Sequence, residues 1–121
     1  MKNVLAKTQI FTNASMNGNL TSSVTPISFL DNICIQLNFT GTPTGNFFVQ
    51  GSVDYQTDYL GNVISTGNWI SLTLVPSPVA SGSANQILLD MNQLSFPYIR
   101  VIYTYSSGSG TLNGFIGGKS V

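Results

Sequence analysis

The stretch Ile33-Cys34-Ile35-Gln36-Leu37-Asn38-Phe39-Thr40 decides the fold class. Ile33, Ile35, Leu37 and Phe39 alternate with Cys34, Gln36, Asn38 and Thr40, the period of two that sends one side of a strand into a core and leaves the other wet. The same period returns at Tyr98–Tyr105, with Ile99, Val101, Tyr103 and Tyr105 on one face and Tyr98, Arg100, Ile102 and Thr104 on the other. After Gly41-Thr42-Pro43-Thr44-Gly45, Phe47, Val49, Val53 and Tyr55 point one way, and Phe48, Gln50, Ser52 and Asp54 the other. The short Gly/Pro link predicts that residues 33–40 and 47–55 form an antiparallel hairpin.

Further strands are expected along the chain. Trp69–Val75 directs Ile70, Leu72 and Leu74 inward and stops at Pro76-Ser77-Pro78, since proline cannot donate to a ladder. Gln86–Met91 is short and apolar, and a strand is favoured over a helical turn. Ser106-Ser107-Gly108-Ser109-Gly110 turns Tyr98–Tyr105 into a last strand, Thr111–Ile116, and weaker strands lie near Thr8–Thr12 and Thr21–Phe29. No window of ten or more residues carries apolar spacing of three and four. The expectation is all-β: an antiparallel β-sandwich, jelly-roll-like, of about eight strands. Residues 1–121 make a single domain, with no repeat and no loop long enough to divide it. The Asn/Ser/Thr-rich residues 1–20 suit an N-terminal arm that orders on assembly.

Composition narrows function by what it lacks. The chain has no histidine and no glutamate, one cysteine, four aspartates and four Lys/Arg. Catalysis near neutral pH relies on His, Glu and Cys, so the expectation is no enzyme, no catalytic residues, no cofactor and no metal. Lys2, Lys7, Arg100 and Lys119 cannot form a basic patch fit for nucleic acid. Only 7% of residues are charged and the net charge is zero, a balance that favours association over colloidal repulsion. The N-terminus lacks the apolar run of a secretory signal and no stretch reaches membrane-span length, so synthesis in a cytoplasm and no membrane partner are expected.

Few residues offer chemistry. Asp54 and Asp58 are the close carboxylate pair, but Asp at a strand end ordinarily bonds nearby backbone, and two carboxylates make a poor calcium cage. Cys34, flanked by Ile33 and Ile35, reads as a structural strand cysteine. Gly108-Ser109-Gly110 and Gly117-Gly118 read as hairpin glycines rather than phosphate loops. Trp69 reads first as a cap on the core and second as a sugar-stacking platform. Phe48, Tyr98, Arg100 and Ile102 form an outward apolar strip, a candidate assembly interface, with Asp54 and Arg100 a candidate ion pair across strands or across an interface.

Three stretches also carry a resemblance: Phe47-Phe48-Val49-Gln50-Gly51-Ser52-Val53-Asp54-Tyr55; Trp69-Ile70-Ser71-Leu72; and Phe96-Pro97-Tyr98-Ile99-Arg100-Val101-Ile102-Tyr103-Thr104, running on through Ser107-Gly108-Ser109-Gly110-Thr111-Leu112-Asn113. In this order they resemble small β-sandwich virion structural proteins of tailed bacteriophages, over roughly residues 46–119. The resemblance implies a capsid decoration or other head/tail component. Such a protein is made in the host cytoplasm, is located in the virion, and has copies of itself and other virion proteins as partners. It carries no catalytic residue across. The alternative is a carbohydrate-binding β-sandwich module that recognises host-surface glycan through Trp69.

Overall fold

The period-two segments become strands that share one interior. The computed structural model describes residues 3–120, and among them twelve strands follow in chain order. A long β1 (Val4–Ser15) precedes two short pieces, β2 (Leu20–Thr21) and β3 (Thr25–Pro26). Next come β4 (Asn32–Phe39) and β5 (Thr44–Ser52). Four short pieces follow: β6 (Gln56–Thr57), β7 (Val63–Ser65), β8 (Ile70–Ser71) and β9 (Val79–Ser81). Three long strands close the chain: β10 (Asn85–Asn92), β11 (Tyr98–Ser107) and β12 (Thr111–Lys119).

One sheet has the order β1-β12-β4-β10. The other has the order β2-β11-β5-β8, with β3 also on β11 and β9 also on β5, while β6 and β7 pair by themselves. Taking β2 with β3 and β8 with β9, and setting β6–β7 aside as an insertion, leaves eight strand positions. First pairs with last, second with seventh, third with sixth and fourth with fifth, all antiparallel. A long ribbon rolled up in this way is the jelly-roll sandwich expected from the strand count.

The rolling corrects two local expectations. β4 and β5 are not a hairpin: they lie in different sheets, and so do β11 and β12. The links Thr40–Pro43 and Gly108–Gly110 are arches that cross from one sheet to the other, a gap of about 10 Å that three or four extended residues span. Both strands of an arch still bury one face, so alternation alone cannot tell an arch from a hairpin. The arches then bond to each other. Thr42 N–H donates to Ser109 O (2.8 Å), Thr40 N–H to Thr111 O (3.0 Å), and Met16 N–H to Gly110 O (2.9 Å). Gly108 has φ +79°, and a Cβ there would collide with the carbonyl oxygen of Thr42.

Residues 4–15 of the arm expected at residues 1–20 form β1. β1 runs alongside β12 from Val4 opposite Lys119 to Ser15 opposite Thr111, and Ile10, Phe11 and Met16 are buried. Met1 and Lys2 lie outside the described residues. Register shifts after Leu5, Gln9 and Phe11 break the alternation, so that neighbours Ile10 and Phe11 both turn inward. A pattern read at strict period two therefore finds only a weak strand near Thr8–Thr12 where the full β1 runs from Val4 to Ser15.

The core fills the space between the sheets. Ile33, Ile35, Leu37 and Phe39 from β4 meet Phe47 and Val49 from β5, Ile99, Val101 and Tyr103 from β11, and Leu112 and Ile116 from β12. The Phe47 ring lies 5.6 Å from Phe39 and 5.0 Å from Tyr103, offset contacts that add to area burial. At about 1.5–3 kcal/mol per large side chain, this block is what holds the two sheets together. Gln86–Met91 is indeed a strand. The predicted strand at Trp69–Val75 shrinks to Ile70–Ser71: at the sheet margin Ile70 is 72% exposed, while Leu72 and Leu74 pack against the core.

Candidate interaction face on the six-stranded sheet

The outward residues of β5 and β11 meet by register. Ile102 lies opposite Phe48, Arg100 opposite Gln50 and Tyr98 opposite Ser52. The strip read from the sequence as Phe48, Tyr98, Arg100 and Ile102 is therefore one continuous patch: Phe48 is 38% exposed and the other three are half-buried. The stretches that carry the phage resemblance also converge here, since β8, β5 and β11 are neighbours in the sheet.

Polar bonds tie three strands across this face. Arg100 Nε donates to Gln50 Oε1 (2.9 Å), and Gln50 Nε2 donates to Ser71 Oγ (3.2 Å). The Arg100 guanidinium sits 4.3 Å from the Trp69 ring centre, and burial pulls its pKa down from the ordinary value. It remains a cation, held over the ring by cation–π attraction. Tyr55 bridges to both neighbours, its ring 5.6 Å from Trp69 and 4.9 Å edge-on from Tyr98. The Trp69 indole N–H is already spent on Thr66 O (2.9 Å).

Three expectations change here. Trp69 does not cap the core: it belongs to the outer face, with Arg100 across its ring. Tyr55, counted as inward, is outward too, because β5 ends at Ser52 and the following turn breaks the parity; Val53, also counted inward, is 76% exposed. Asp54 and Arg100 do not pair across strands. Asp54 accepts from Asn68 N–H (2.8 Å), Asn68 Nδ2 (2.8 Å) and Ser52 Oγ (3.0 Å), and these bonds, the Asn68 amide first, hold its carboxyl below the usual range.

Asp58 does similar work in the next turn. It accepts from the Leu60 and Asn62 amides at 2.9 Å each, and its pKa is lowered chiefly by the Asn62 N–H. Asp58 thus bonds nearby backbone as its position predicted, while Asp54 reaches Asn68 across the whole Val53–Asn68 loop. Cys34 lies half-buried on the outer side of the four-stranded sheet, opposite Gly117 and Asp90. Burial, and then the nearby Asp90 charge, push its thiol pKa up, which keeps it protonated and unreactive. Among the described residues no group of three or more His, Cys, Asp or Glu could hold a metal ion, and no helix is long and apolar enough to cross a membrane.

No family model and no curated protein matches the sequence. Among solved structures, 28 chains match. One belongs to infectious bursal disease virus, Gx strain, and covers 98% of this chain and 32% of that chain at 12% identity and a TM-score of 0.48. Another is dimeric latent PorU from Porphyromonas gingivalis, covering 98% of this chain and 12% of that chain at 12% identity and a TM-score of 0.40. The chain thus spans about a third or less of these larger proteins. At such scores the likeness leaves function to be argued from this chain's own residues.

Proposed function

We propose that this chain is a non-enzymatic virion structural protein, a capsid decoration or other head/tail component, that self-associates and docks on the particle. The outer face of the six-stranded sheet is the docking surface. The observation that carries the reading is the patch of Phe48, Ile102, Tyr98, Tyr55 and Trp69 around Arg100, with a cross-strand bond network that fixes its shape. An aromatic and aliphatic centre with one arginine is the make-up of interface hot spots. The sequence resemblance to tailed-phage virion proteins supplies the setting, and its β5, β8 and β11 residues lie on this same sheet, while Thr111–Asn113 begin β12 of the other.

The test is copurification with assembled particles at fixed stoichiometry. Paired substitutions Phe48→Asp and Ile102→Asp abolish it if the reading holds, with the isolated chain still folded; retention of full stoichiometry refutes it. A second reading, glycan binding, is favoured by the cluster of Trp69 with Tyr55 and Tyr98. It is opposed by Arg100, which covers one face of the indole, and by the indole N–H already bonded to Thr66. Glycan binding that is lost on Trp69→Ala would decide for it.

A further inference from the structure

A strand at the margin of a sheet presents a row of N–H and C=O groups that pairs with any strand it meets, unless it is short, bulged, charged or covered. Three of the four margins of this sandwich are protected in such ways. β1 carries three register shifts along its length. The six-stranded sheet ends in pieces of two or three residues, β2 and β3 on one side and β8 and β9 on the other.

β10 has no comparable protection. It pairs with β4 without a shift from Asn85 opposite Phe39 to Asn92 opposite Asn32, and among the described residues it has no second strand partner. It contains no proline and no lysine or arginine, its one charged residue is the exposed Asp90, and Leu88 is 66% exposed. The segment Leu74–Val79 runs beside it across a cleft of about 440 Å³ and does not pair with it.

The register shows which groups are free. Thr40 N–H bonds on the β12 side, so the even-numbered residues of β4 face β12 and the odd-numbered ones face β10. Odd-numbered β10 residues are then used by β4, and the backbones of Gln86, Leu88, Asp90 and Asn92 face outward. The Gln86 N–H is taken by the side chain of Asn85 (2.8 Å), and the row beyond it stands open.

We infer that β10 is a pairing edge whose occupant is β10 of a second copy, joined antiparallel about a two-fold axis at Leu88 into one eight-stranded sheet. Self-complementarity selects this partner and this register. Centring on Leu88 sets Leu88 against its counterpart and Gln86 of one copy against Asp90 of the other, carboxamide to carboxylate, twice. Centring on Asp90 opposes two carboxylates, which repel. Centring on Gln86 leaves half the strand unpaired, and centring on Ile87 or Leu89 sets the exposed Leu88 against the Gln86 carboxamide or the Asp90 carboxylate instead of against its own counterpart. An isologous contact of this kind closes at two copies. It uses a different surface from the docking face proposed above.

Sedimentation velocity of the full chain across a concentration series, with amide hydrogen exchange, tests the pairing. The expected result is a concentration-dependent dimer in which the Leu88 and Asp90 amides become protected. Leu88→Lys, at an exposed site, gives a folded monomer. Gln86→Lys tightens the dimer about threefold or more by facing Asp90, and Gln86→Asp loosens it by a similar factor. A chain that stays monomeric at every concentration overturns the inference, as does a dimer in which the Leu88 and Asp90 amides exchange freely. Gln86→Lys and Gln86→Asp acting alike overturn the register. A dimer that survives Leu88→Lys but breaks on Phe48→Asp assigns self-association to the other face, which overturns the edge pairing while sustaining the proposed function.

Discussion

At one end of the sandwich, the Thr40–Pro43 and Gly108–Gly110 arches hold each other through backbone groups. At the other, the Val53–Asn68 loop is held by the carboxylates of Asp54 and Asp58. Both ends fasten irregular chain, but they depend on different things. The arch end depends on the absence of side chains, because the two links run too close for a Cβ at Gly108. The loop end depends on the presence of two particular side chains and on their charge. It is also the open end, with Tyr59 95% and Leu60 69% exposed. Packed backbone and exposed side chains are thus divided between the ends, and the proposed docking face with Tyr55 and Trp69 adjoins the exposed one.

The sharpest way to break this contrast is to add one methyl group at each end. Gly108→Ala, at φ +79° with Thr42 in the way, is expected to cost about 3 kcal/mol or more. Gly61→Ala, at φ +87° with nothing within 4 Å, is expected to cost about 1 kcal/mol, the conformational penalty alone. Urea unfolding of the two variants measures both. Equal losses would show that crowding between the arches is not what matters.

A smaller effect of opposite sign is expected just inside the arch end. The Tyr103 side chain packs under Gly45, and its buried hydroxyl has no hydrogen-bond partner among the described residues. Tyr103→Phe removes that desolvated oxygen while keeping the ring contact with Phe47, and should raise stability by about 1 kcal/mol. Thermal unfolding decides, and a drop in Tm would mean that the hydroxyl is satisfied after all.

The smallest effect sharpens the loop end. The carboxyls of Asp54 and Asp58 titrate below the ordinary carboxylate range in the folded chain. A depressed folded pKa gives stability that is present above the unfolded value and is lost as pH falls through the folded one. Acid should therefore loosen the Leu60, Asn62 and Asn68 amides while the Thr42 amide stays protected, because no titrating group serves the arches. Amide exchange followed by NMR down an acid series reads both sites at once. Simultaneous loss of protection at Thr42 would erase the distinction.

These ends also show what the sequence makes legible. Ile33, Ile35, Leu37 and Phe39 read as core because a strand's two faces are written in its alternation, and Phe48, Arg100 and Ile102 read as one outer face for the same reason. Asp58 was legible as a turn holder because its bonds to Leu60 and Asn62 are local, whereas the bonds of Asp54 to Asn68 close a loop of fourteen residues that no local pattern shows. Strand partners were not: Thr40–Pro43 and Gly108–Gly110 look like hairpin links, and only the long-range ladder from β4 to β10 and β12 shows them to be arches. β1 was legible only as a weak strand near Thr8–Thr12, because its bulges bury Ile10 and Phe11 in succession. The face was incomplete for a related reason. Parity holds only within a strand, so Tyr55, three residues past the end of β5, joined the wrong side until its contacts with Tyr98 and Trp69 were seen.

Trp69 is the single tryptophan of the chain, and its ring lies under the Arg100 guanidinium beside Tyr55. Intrinsic fluorescence excited at the indole therefore reports one corner of the surface and nothing of the interior. A change in emission on mixing with a partner marks events at that corner. A thermal transition seen by fluorescence follows the release of the Trp69 corner, while circular dichroism follows the sheets, and any separation of the two curves measures how independently that corner moves.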